Sequence, residues 1–204
     1  IDIEGTELIL DVDGDTSITA DTDDQIDIRI GGADDFAFKA NKFEVQTGSN
    51  IDMNGTELIL DADGDTSITS DTDDQIDFKT GGSDRVIIDS SGNFLVGKTG
   101  QGLSSAGFEI AQSGQASATQ DGGAGLRVNR LSDNGVLIQL RKDTSQVGEI
   151  GILNNDNLYI ASVASDHAGL QFGTHAVTSM EANSDADGTI DLGSSASKFK
   201  DLYL

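Results

Sequence analysis

The sequence predicts an all-β protein, an extended fibre segment built from repeats and followed by a β-hairpin meander. Three observations carry that reading. A long stretch recurs at a 50-residue offset, apolar residues alternate with polar ones at period two, and the 204 residues contain no proline. Proline has no backbone N–H and is excluded from central strands, so its absence suits a chain whose N–H groups are committed to β-ladders.

The repeat comes first along the chain. IDIEGTELILDVDGDTSITADTDDQIDIRIGGADD returns as IDMNGTELILDADGDTSITSDTDDQIDFKTGGSDR, 26 of 35 positions being identical. We read residues 1–50 as one β repeat and 51–100 as a second that ends in a hairpin. Within each copy Leu8, Leu10 and Val12 alternate with Glu7, Asp11 and Asp13, and Ile26, Ile28 and Ile30 with Gln25, Asp27 and Arg29. Two copies are too few to close a propeller, and one modest apolar face per copy cannot bury itself. Identical chains around a rotation axis supply the cheapest cover, although the alternation does not determine how many. The expected inter-chain core comprises Leu8, Leu10, Ile26 and Ile28 with their counterparts Leu58, Leu60, Ile76 and Phe78.

After Asp84 the second copy departs into DRVIIDSSGNFLVGKTG, a strand, a turn at Ser90–Asn93 and a second strand. Residues 101–125, rich in Gly and Ser, are read as a connection. Residues 126–204 are read as the β-meander leading to a processed or truncated C-terminus. There Arg127–Leu131 is expected to pair with Val136–Leu140 across Asn134-Gly135, and Val147–Leu153 with Leu158–Val163 across Asn154–Asn157. Ala196–Leu202 is either a short helix or a turn and strand.

Composition excludes several functions. The net charge is −24, with 24 acids against 6 bases in residues 1–100 and 12 against 6 in 101–204. Such a surface repels nucleic acid and anionic membranes, and no apolar run is long enough for a membrane span. With no cysteine, disulfides stabilise nothing here. The two histidines, His167 and His175, have no zinc-ligand or triad spacing, and aromatic platforms for sugars are scarce, so no catalytic residues and no enzymatic activity are expected.

Two motifs require weighing. Gly92 to Thr99 fits GxxxxGK[ST], but Phe94–Val96 reads as a strand inside the supposed phosphate loop and no helix follows. Asp11, Asp13 and Asp15, and again Asp61, Asp63 and Asp65, place alternate carboxylates as the opening of a calcium loop does. Glycine comes fourth rather than sixth, and Thr22 and Thr72 stand where a bidentate Glu belongs, so Asp-Gly turns are the favoured reading. The sharper alternative is a cation, Ca2+ by ligand type, held between strands or chains. No other cofactor is expected.

Three stretches, DRVIIDSSGNFLVGKTG, LSDNGVLIQLRKDTSQVGEIGI and DGTIDLGSSASKFKDLYL, resemble tail-fibre proteins of bacterial viruses. The last resembles the segment leading into a self-cleaving C-terminal intramolecular chaperone, and the N-terminal repeat resembles repeats in fibres of marine viruses. The resemblance implies an elongated, homotrimeric, intertwined β fibre on an extracellular virion. Its implied partners are its own copies, other tail proteins and a host cell-surface glycan or protein, and its implied role is host attachment. A trimeric bacterial surface adhesin and a polysaccharide-depolymerising tailspike are the competing readings.

Overall fold

A computed structural model describes residues 7–181, 184–193 and 196. Among them the fold is all-β, with 18 strands in three antiparallel sheets, and within each sheet the strands pair in sequence order. The chain divides into two compact units, 1–121 and 122–204.

The first sheet runs β1 (Leu8–Ile9), β2 (Ser17–Thr19), β3 (Gln25–Ile30), β4 (Ala33–Lys39) and β5 (Lys42–Val45). The second runs β6 (Leu58–Ile59), β7 (Ser67–Thr69), β8 (Ile76–Thr80), β9 (Ser83–Ile88), β10 (Phe94–Val96), β11 (Gly107–Ile110) and β12 (Ala116–Thr119). The repeat is visible in register. Leu8 faces Ile18 as Leu58 faces Ile68, and Ile18 faces Ile28 as Ile68 faces Phe78. A bulge follows Ile28 and another follows Phe78. Tight β3–β4 and β8–β9 hairpins need positive φ at both central residues to match strand twist. Gly31-Gly32 (φ 65° and 83°) and Gly81-Gly82 (φ 58° and 66°) supply it.

Residues 101–125 are not a bare connection. They contain β11 and β12, a hairpin that extends the second sheet through Phe94↔Ile110 and Phe108↔Ala118. The alternation in GFEI is short enough to pass for linker, and the neighbouring β10 edge turns it into a ladder.

The second unit is a six-stranded meander of β13 (Gly135–Lys142), β14 (Ser145–Leu153), β15 (Asn157–Ala161), β16 (Ala168–Gly173), β17 (Ala176–Glu181) and β18 (Ser184–Asp185). The β14–β15 hairpin turns at Asn154–Asp156 as expected, with Leu153 opposite Asn157. The expected pairing of Arg127–Leu131 does not form. Those residues are not strand, and Val136–Leu140 pairs instead with β14. The cause is local: Arg130 grips Asp133 through two hydrogen bonds of 2.8 and 3.0 Å, Ser132 takes φ 75°, and the Arg130 guanidinium fills the space a Cβ on Gly135 would need. The Ala196–Leu202 expectation lies outside the described residues apart from Ala196.

The buried face of each sheet mixes polar and small residues with a few large apolar ones. In the first sheet it carries Ser17, Thr19, Asp27 and Ala37, and in the second Ser67, Thr69, Asp77, Ile87, Leu95 and Glu109. In the meander it carries Glu149, Tyr159, Ala161, Gln171 and Met180. Hydrogen bonds offset this burial at some of these groups, while Ser67 Oγ, Thr69 Oγ1 and Asp77 Oδ2 are buried without a partner. Gln25 Nε2 donates to Asp27 and Gln75 Nε2 to Asp77, while the Tyr159 hydroxyl and Gln146 Nε2 both donate to Glu149 at 2.6 Å. Burial, then the carboxylate beside it, push the Tyr159 pKa up to about 12.

Candidate interaction surface

The opposite face of every sheet is apolar and open. Pairing register assembles its side chains into rows across the strands. In the first sheet one row is Leu8, Ile18, Ile28, Phe36 and Val45, and another is Ile26, Phe38 and Phe43. Phe43 stacks on Phe36 at 5.8 Å between ring centroids and leans on Phe38 at 5.1 Å. The second sheet repeats the design with Leu58, Ile68, Phe78, Val86, Val96 and Phe108, beside Ile76, Ile88, Phe94 and Ile110. The meander aligns Ile138, Ile150, Ile160 and Leu170, beside Ile152, Leu158, Phe172 and Val177.

These side chains are only partly covered by one another. Ile26 is 49% exposed, Ile76 44%, Leu170 48% and Phe172 42%. Of the expected inter-chain core, Leu8, Ile26 and Ile28 fall on the first sheet's rows, and Leu58, Ile76 and Phe78 on the second's. Leu10 and Leu60 lie just past β1 and β6, each donating its backbone N–H across the turn to Thr16 and Thr66 at 2.9 Å, and both are exposed. Sequence reasoning confined to the repeat missed the rest of the surface, although VII in β9, FLV in β10 and LYI in β15 carry the same alternation.

The uncovered rows recur on all three sheets, with Phe38 45%, Leu58 48% and Ile160 47% exposed. In the second unit the uncovered face also forms a groove of about 730 Å3, lined by Ile160, Leu170, Phe172 and Val177 with Ile190 and Leu192 at its side.

The carboxylates of Asp11, Asp13 and Asp15 do converge, one oxygen of each lying within 4.8 Å of the others, and Asp61, Asp63 and Asp65 repeat the arrangement. Turn chemistry is present at the same acids. Gly14 N–H donates to Asp11 Oδ1 at 3.0 Å, and Gly64 and Thr66 N–H donate to Asp61 Oδ1 at 3.1 and 3.2 Å. Hydrogen bonds from Thr16 and Thr66, foremost, hold Asp11 and Asp61 below the usual carboxylate range.

The phosphate-loop match dissolves in the fold. Phe94–Val96 is β10, and the Lys98 ammonium is buried against Glu109 Oε2 at 2.6 Å, where Gly102 N–H also donates at 3.0 Å. Lys98 further donates to the Gly102 carbonyl. The lysine is committed to folding residues 97–109 and offers nothing to a phosphate. His167 lies beside the Ser162 hydroxyl at 3.2 Å on the surface, and His175 occupies the β16–β17 turn at φ 62°.

The fold and its surface define an all-β protein whose three meander sheets each leave an apolar face uncovered. Comparison with protein-family models, curated proteins and solved structures finds no match.

Proposed function

We propose that this chain is a segment of a homotrimeric, intertwined β fibre, a structural component of a viral tail fibre that serves host attachment. The observation that carries the reading is that each unit leaves apolar rows of its own sheets uncovered. Water makes such a face costly at roughly 25 cal/mol per Å2, and identical chains cover it with the same residues they need covered. The three-fold count and the place on a virion rest on the resemblance of DRVIIDSSGNFLVGKTG, LSDNGVLIQLRKDTSQVGEIGI and DGTIDLGSSASKFKDLYL to tail-fibre segments. The work assigned to the chain is mechanical, spanning distance and presenting a surface to a host glycan or protein.

The test has two parts. Light scattering on the purified chain is expected to give three times the 21.2 kDa of one chain. Antiserum against the chain is expected to decorate the tail appendages of virus particles. A monomeric mass overturns the fibre, and labelling of a bacterial envelope in place of particles reassigns it to a surface adhesin.

A further inference from the structure

We infer that copies of this chain are held together first through the second unit, and that the acidic first unit closes against its neighbours only when salt screens its charge. This rests on the fibre reading above and adds an order of assembly and a control over it.

Two observations meet here. Each unit presents its own apolar rows, so each has an independent reason to self-associate. Their charges differ sharply. Residues 1–121 hold 26 acids against 6 bases, net −20, whereas residues 122–204 hold 10 against 6, net −4. The acids of the first unit concentrate in turns at the ends of the strands that carry the apolar rows, Asp11–Asp15 and Asp21–Asp24 before β2 and β3 and the same positions 50 residues on. Bringing copies together on those rows brings like-charged turns together. The second unit gains apolar contact with little such opposition.

Repulsion of this kind extends over about 30 Å at 0.01 M salt and about 10 Å at 0.1 M, so it opposes association across a whole turn in the first case and only between close neighbours in the second. The occupant of both faces is another copy of this chain. A second copy needs the same rows covered and offers the same rows in return, and a like-charged copy is the partner whose approach would depend on ionic strength with this sign. The device sets an order on assembly: the near-neutral end aligns the chains, and near-identical repeats, open to pairing one 50-residue unit out of register, close afterwards.

The experiment uses the full chain in about 0.01 M and about 0.3 M NaCl, followed by sedimentation velocity and amide hydrogen exchange. Assembly is expected at both salts. Amides of β15 and β16 are expected to stay protected throughout, while those of β3 and β8 gain about tenfold protection at the higher salt. Leu170→Asp is expected to abolish assembly at low salt, whereas Phe78→Asp leaves it intact and removes the salt-induced protection of β8. Val177→Asp, on the adjacent row of the second unit, provides a second variant, with far-UV circular dichroism to show that each variant folds. Equal protection of both units at low salt, or persistent assembly of folded Leu170→Asp and Val177→Asp there, overturns the inference while leaving the fibre standing. A wild-type chain that is monomeric at both salts overturns the fibre reading and this inference with it.

Discussion

Gly169 lies at a close approach in the second unit, where a Cβ would meet Ala161 Cβ at 2.5 Å and its Cα at 2.8 Å. Backbone there cannot yield as a flexible side chain can. Gly169→Ala is therefore expected to destabilise the meander by about 1–3 kcal/mol, read from the denaturant midpoint. Charged residues act by a different route. Hydrogen bonds from Lys39 and then Lys42 hold the Glu44 carboxyl down at about 2, against an ordinary value of 4.5. A depressed folded-state pKa means that stability is present above the ordinary value and is lost as pH falls through the folded one. The wild type is expected to lose this contribution between pH 4.5 and about 2, and Glu44→Gln to flatten that part of the pH profile without shifting stability at pH 7 by more than a surface pair allows. The Lys98–Glu109 pair differs because the lysine side chain is 1% exposed. Glu109→Gln strands a buried ammonium, so its melting temperature is expected to fall well below that of Glu44→Gln.

At the scale of the strand, the two faces obey different rules. Leu95 on β10 is fully buried among the inward residues, and its neighbour Phe94 lies on the open apolar face at 37% exposure. Leu95→Ala is expected to cost about 2–5 kcal/mol in any association state. Phe94→Ala removes apolar surface that a lone chain leaves in water. Its effect is expected to be small at dilute, dissociating concentrations and to grow as copies assemble, a contrast visible in paired denaturation series. Equal costs for the two substitutions at all concentrations would show that Phe94 gains no cover from a neighbour.

For the whole molecule, stability and assembly are one quantity if the uncovered face is covered by copies. Association that favours the folded state makes the melting temperature rise with protein concentration. That rise is expected here under salt that screens the net charge of −24, and a concentration-independent midpoint would separate folding from assembly.

Much of this was legible in the chain itself. The period-two alternation, the 50-residue repeat and the missing proline determined an all-β fold and the equivalence of the two copies, because strand geometry and turn glycines act locally. Gly31-Gly32 and Gly81-Gly82 set their hairpins whatever surrounds them. Tertiary structure decided which side of each sheet is buried. Alternation marks two faces and does not say which one is buried; Asp27 and Asp77 are met by Gln25 and Gln75 two residues away, whereas Glu149 is met by Tyr159 from the neighbouring strand, a contact that only the ladder creates. It also decided that residues 107–119 extend the second sheet and that Arg130 closes on Asp133 instead of entering a strand. Those outcomes turn on which edge and which counter-charge lie within reach, and reach is a property of the folded chain.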